Sequence, residues 1–248
     1  MAKQMPDEIL VWDTETSGVD VENDRILTCY AMLQKRDGTI VNDWSWTIDP
    51  GVAEGFVVAE GAAAVHGMST EWIAEHGRKD SAAAITQIVR VLYDAWKLGA
   101  PIVAYNQRFD FSILWHEYAR AGRATHGVLR DMLAFATLYD PLVHDKARDK
   151  FRRGNRKLQT VCEHHGIEFN ESEAHAADYD VDRTAALTWK LLRKDKLGVD
   201  ELSNLMPIWK EEQDASLQQY FSRSGKKNED GSEIVIDRGW PLITKKGN

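Results

Sequence analysis

The apolar positions along the chain change their period several times, and each change predicts an element. Ile9-Leu10-Val11-Trp12 is a continuous apolar run, which predicts a buried strand. Residues 26–34 and 39–48 flank Asp37-Gly38, a turn signal that predicts a hairpin. Trp44, Trp46 and Ile48 alternate with polar residues, so one face of the second hairpin strand is buried. Ser69 or Thr70 can cap a short helix running to about His76. Residues 81–97 carry Ile85, Ile88, Val91, Leu92 and Trp96 at helical spacing, with Gly99 and Pro101 closing the element. Residues 101–105 predict another buried strand and 109–121 a helix. Residues 127–129 predict a short strand before a helix from Asp131. Helices follow over 158–165, stopped by Gly166, and over 179–193.

Strands with a tight hairpin, then alternating helices and strands, then helices predict an α/β fold: a mixed β-sheet flanked by helices. The pattern changes after about Lys196. Leu202, Leu205, Met206 and Trp209 keep near-helical spacing that reaches toward Phe221, with Pro207 expected to break or kink it. Residues 222–232 read as a polar loop, and 234–236 and 240–242 as a short apolar tail. The division expected is 1–196 as the main domain and 197–248 as a mainly helical extension packed on it.

Composition narrows the class. Hydrophobic residues make up 43% and charged residues 28% of the 248 residues, a soluble globular balance. No stretch approaches the roughly 18 apolar residues of a membrane span, and residues 1–8 hold no apolar signal segment. Cys29 and Cys162 are too few for a disulfide framework or a cysteine zinc cage. No membrane partner and a cytoplasmic location are the default expectations. The net charge of −8 argues against a protein that coats duplex DNA, but a carboxylate site is acidic by construction and receives phosphate through cations.

Three clusters carry candidate chemistry. Asp13 and Glu15 end the first strand and, in extended backbone, point to the same side. Asn106-Gln107-Arg108-Phe109-Asp110 follows a buried strand and opens a helix. His175 lies in a loop just before Asp180, in the first turn of a long helix, with Asp178 as the expected N-cap. Each has an ordinary reading: a polar strand edge, an acid at a positive helix terminus, a solvated loop histidine. Together, four carboxylates and a histidine at the ends of core elements suit Mg²⁺ or Mn²⁺. Two such ions can cleave a phosphodiester with histidine as base.

Asp-x-Glu at Asp13 and Glu15, Asn-x-x-Phe-Asp at 106–110 and His-x-Ala-x-x-Asp at 175–180 resemble the three motifs of the DEDDh exonucleases. That branch includes the DnaQ-like proofreading subunits and the TREX exonucleases. The loop Val65-His66-Gly67-Met68-Ser69 and the helix over 158–166 are also similar to family features, so the resemblance covers about residues 9–194. The tail is loosely similar to extensions in actinobacterial and phage members. Tyr179 does not occupy the catalytic position of the tyrosine branch. The resemblance implies an RNase H-like exonuclease fold and removal of mononucleotides from 3′ ends. It implies that Asp13, Glu15, Asp110 and Asp180 hold two divalent ions, Asp13 bridging them, with His175 as general base. It further places Thr14, Thr16, Met68, Asn106 and Phe111 near the terminal nucleotide, and Asp131 behind the ligands.

Residues 146–157 hold seven basic side chains and one acid, Asp149. They read either as a flap that contacts phosphate, Arg152 and Arg153 included, or as a solvated loop; Phe151 can stack on a base or anchor the loop. Residues 214–221 resemble clamp-docking peptides, with Asp214 where those carry glutamine; an amphipathic helix is the preferred reading. The function expected is 3′→5′ hydrolysis of DNA, single-stranded by preference. The alternatives are an exoribonuclease of the same fold and a non-catalytic module binding nucleic acid or a polymerase. The 248 residues hold no polymerase region, so proofreading would need a partner or is not the role.

Overall fold

Strand β1 (Glu8–Thr16) is the middle of a five-stranded sheet because both its faces are apolar. The computed structural model describes residues 4–123, 126–228 and 230–243. β1 pairs antiparallel with β2 (Ile26–Lys35), and β2 with β3 (Ile40–Thr47). On its other side β1 runs parallel to β4 (Ile102–Val103), which runs parallel to β5 (Leu138–Tyr139). The order is β3-β2-β1-β4-β5. The hairpin turn forms as expected: Gly38 takes φ 93° and the Asp37 carboxylate accepts from Thr39 N at 2.9 Å.

Helices cover both faces. After α1 (Glu60–His66) and α2 (Thr70–His76), α3 (Ser81–Lys97), α4 (Gln107–Arg120) and α5 (Gly127–Phe135) pack on Leu10, Trp12 and Ile102. The opposite face, with Ile9, Val11 and Val103, is covered by α6 (Pro141–Arg148), α8 (Ala177–Lys194) and α9 (Val199–Ser224). The short helix α7 (Leu158–His164) packs against α8 through Val161, Cys162, Leu187 and Leu191. Strand alternation therefore decides which helix each β1 side chain meets. Residues 9, 11, 13 and 15 share the α8 face; 10, 12 and 14 share the α4 face.

Several expectations are corrected. Residues 127–129 are the first turn of α5, not a strand; Leu129 and Met132 bury together at i, i+3 spacing. Asp178 is not the N-cap of α8: the helix starts at Ala177, and Asp178 is an exposed residue of its first turn. Pro207 does not end α9. It is exposed, so its ring and missing N–H face away from the core, while Val199, Leu202 and Met206 pack the helix against the sheet. Residues 1–3, 229 and 244–248 of the expected termini and loop lie outside the described residues.

Residues beyond 196 share the core. Val199, Leu202 and Met206 belong to the same apolar cluster as Ile9 and Val11. Behind α4, Arg108 Nη1 donates to Asp237 O at 2.8 Å and Asp214 Oδ2 at 3.3 Å, and Lys210 also pairs with Asp214. Ile243 N donates to Ser112 Oγ at 2.8 Å. Asp214 is 4% exposed within this helix, so its segment is not a free clamp-docking peptide. Arg108→Ala removes one of the two cations on this buried acid and the donor to Asp237 O, and a loss of about 1.5–3 kcal/mol is expected in chemical denaturation. A loss under about 1 kcal/mol would show that the tail does not depend on this network.

Candidate metal and catalytic centre

β1 delivers Asp13 and Glu15 to the face covered by α8, and Asp180 stands in the first turn of α8. Glu15, Asp180 and His175 offer ligand atoms that all lie within 4.8 Å of one another. Asp110 arrives from the other side, on the first turn of α4, just after β4. Thr14, pointing opposite to Asp13, donates its hydroxyl to Asp110 Oδ1 at 2.7 Å. The three motifs thus converge at one sheet edge because β1 and β4 are parallel and α4 and α8 begin beside their ends.

The electrostatics are those of an uncompensated acidic cluster. Burial, then the charges of Asp110, Glu15 and Asp180, push the Asp13 carboxyl well above the usual range. Burial, then Asp180 and Asp110, push Glu15 up to about 8. Burial raises Asp110 to about 7 against the opposing Thr14 hydrogen bond. Burial raises Asp180 as well, opposed by His175. Among the described residues no Lys or Arg pairs with any of the four. Asp180 Oδ1 is buried without a hydrogen-bond partner. Clustered carboxylates with an orphaned buried oxygen, beside one imidazole, fit hard divalent cations.

Backbone strain marks the same motifs. Asn106 has φ 62° and His175 φ 64°, left-handed conformations rare outside glycine. The Asp140 carboxylate holds the Asn106 turn, accepting from Asn106 N at 3.2 Å and Gln107 N at 3.0 Å. It also accepts from Leu142 N at 2.9 Å and so caps α6. His66 Nε2 donates to Thr16 O at 3.2 Å while its Nδ1 accepts from Met68 N at 3.1 Å. These bonds fix a neutral tautomer, in line with burial lowering its pKa.

Not every expected contact residue faces the site. Phe111 is 0% exposed, its ring 5.0 Å from that of Trp12, so it belongs to the core and offers no face to a nucleotide. Met68 is 8% exposed and packs with Leu27, Val58 and Ile73. The Thr16 hydroxyl is spent on Gly18 O at 2.7 Å, and that of Thr14 on Asp110. Asn106 is exposed and carries no side-chain cap bond. Asp131 lies exposed beside Arg130; Asp140 takes the supporting role expected of it. Arg152 and Arg156 are not free phosphate contacts, because both pair with buried Asp145. Arg153 is exposed. His66 was noted from sequence only as part of the loop over 65–69, and Asp140 was not singled out, although Asp-Pro at 140–141 was a readable helix start.

Comparison with known proteins agrees with this geometry. Ribonuclease T of Photobacterium profundum is 29% identical over 197 residues, 76% of this chain and 84% of that protein. The PolC-type DNA polymerase III of Oceanobacillus iheyensis is 25% identical over 204 residues, 82% of this chain but 12% of the polymerase. Exonuclease I of E. coli, solved with zinc and single-stranded DNA, superposes with a TM-score of 0.61 at 22% identity. That match covers 77% of this chain and 41% of exonuclease I. The family model described as Exonuclease matches residues 10–188. The chain belongs to the exonuclease family, whose DEDD-type 3′→5′ members its three motifs resemble.

Proposed function

We propose that this chain removes mononucleotides from the 3′ ends of single-stranded DNA, and that residues 1–196 carry the reaction while 197–248 buttress them. The observation that carries it is the grouping of Glu15, Asp180 and His175, with Asp13 and Asp110 near enough that the carboxylates raise one another by charge. Two divalent ions, Mg²⁺ or Mn²⁺, held by the four carboxylates would stabilise charge on the phosphate and acidify the attacking water. Hydrolysis adds that water across the P–O3′ bond. His175 accepts the water proton, the 3′-oxygen leaves with a proton, and a nucleoside 5′-monophosphate is released. Thr14 holds Asp110 in place, and Asp140 fixes the turn that presents exposed Asn106 to the terminal nucleotide.

A non-catalytic module is disfavoured, because burying four repelling carboxylates costs stability without return unless cations are held. The ribonuclease T relatives favour a second reading, in which RNA 3′ ends are also substrates. A polymerase as partner rests on the PolC-type relatives, and a cytoplasmic location belongs to the same proposal. Among the described residues no helix is long and apolar enough to cross a membrane. The test is competition between 5′-labelled DNA and RNA strands of one sequence, each with a free or 3′-phosphorylated end. Mononucleotide release from free DNA ends, with blocked ends degraded poorly, is expected. Preference for RNA would transfer the function to the second reading.

A further inference from the structure

A groove of about 430 Å³ runs between α6 and α9, well away from the four carboxylates in sequence. Its walls include Lys146, Lys150, Phe151, Trp209, Leu217 and Tyr220. Phe151 is 94% exposed and Tyr220 62%, a large aromatic surface left in water. The cations beside them are available. Lys146 is half-buried and forms no ion pair among the described residues. Lys150 pairs with Glu212, at 3.0 Å, and both are more than half exposed, so that pair is weak. The buried acid of the flap, Asp145, is already taken by Arg152, Arg156 and His165. Glu212 is the acid of the groove wall.

Two links join the groove wall to the candidate site. Helix α6 starts at Asp140, whose carboxylate holds the Asn106 turn, and carries Lys146 six residues on, about 9 Å along the axis. Tyr105, at the end of the chain segment that feeds this turn, donates to Arg156 O at 2.5 Å in the groove wall. Cations and exposed aromatic faces in one groove match a single strand, which carries phosphates and bases side by side. An acidic peptide would leave the aromatic faces unused.

We propose that this groove binds single-stranded nucleic acid upstream of the 3′ end, phosphates on Lys146 and Lys150 and bases on Phe151 and Tyr220. It extends the exonuclease reading above and rests on it for the position of the 3′ end. At roughly 3.4 Å per stacked nucleotide, the rise of α6 from Asp140 to Lys146 alone corresponds to about three nucleotides. A dinucleotide does not reach it; a twenty-residue oligothymidylate does.

The test compares these two substrates with the full chain. Tyr220→Ala is expected to raise KM for the long strand roughly tenfold and to leave kcat/KM for the dinucleotide unchanged. Lys146→Glu is expected to make binding of the long strand less salt-dependent, lowering the slope by about one in a log–log plot. Equal effects on both substrates, or none on the long one, overturn the groove. Should the wild type cleave neither substrate, the exonuclease reading fails, and anisotropy of labelled oligothymidylate in chelator decides the groove separately. Weaker binding by Tyr220→Ala supports it, and unchanged binding overturns it. Displacement of the strand by a polyglutamate peptide, with no dependence on Tyr220, identifies an acidic-protein site and also overturns it.

Discussion

Replacing His175 by alanine is expected to lower kcat by about 10²–10⁴, the usual contribution of a positioned base. The imidazole is exposed and held by a left-handed backbone beside Glu15 and Asp180. Its loss removes no core contact, so the melting temperature should stay within a few degrees of the wild type. Divalent-ion affinity, read by titration calorimetry, is expected to fall little, because the four carboxylates remain. Asp180→Asn should instead weaken ion binding and chemistry together, since its buried Oδ1 has no other partner. An alanine variant at His175 with near-normal kcat would remove it as the base. Collapse of ion affinity in the same variant would make it a ligand.

The second large effect concerns stability, and its sign depends on the ion. Glu15 is raised from 4.5 to about 8 by burial and then by the charges of Asp180 and Asp110, and Asp110 from 3.8 to about 7 by burial, against the opposing hydrogen bond from Thr14. Between those limits the folded chain binds protons that the unfolded chain has released. Metal-free stability should therefore fall as pH rises from about 4 to about 8. Divalent ions take the place of those protons, so ion binding should release protons and strengthen with pH. Asp110→Asn removes one charge from the 3%-exposed site while keeping an acceptor for Thr14. In chelator at pH 8 it is expected to stabilise the protein by about 1–3 kcal/mol, roughly 2–4 °C per kcal/mol. The same variant should lose most activity and most stabilisation by Mg²⁺. A lower melting temperature than the wild type in chelator would show that the cluster is not under charge repulsion.

What could be read from sequence depended on how much of each element lay in its own residues. The hairpin was legible because Asp37-Gly38 selects a turn and Trp46 and Ile48 mark one buried face. The Asp13–Glu15 pair was legible because spacing puts both side chains on one side of a strand, whereas the roles expected of Asp110, Asp180 and His175 came from the resemblance of their motifs to a family. β5 and α6 were not, since two strand residues carry no period and the basic residues of α6 hid an apolar face made by Val143. Phe111 was misplaced because it follows Asp110 directly, and helical neighbours point about 100° apart. Arg152 looked free because its partner, Asp145, is buried seven residues earlier in a helix the pattern did not reveal. Pro207 was expected to break or kink α9, but the packing of Val199, Leu202 and Met206 on the sheet outweighs its helix penalty, which sequence spacing does not reveal.

The most direct test of the central claim is digestion of a 5′-labelled single strand and a closed single-stranded circle, each with Mg²⁺ or excess EDTA. The four-carboxylate site predicts stepwise shortening of the linear strand from its 3′ end with Mg²⁺, an intact circle, and no cleavage of either in EDTA. Cleavage of the circle, or undiminished shortening in EDTA, would contradict a metal-dependent 3′→5′ exonuclease.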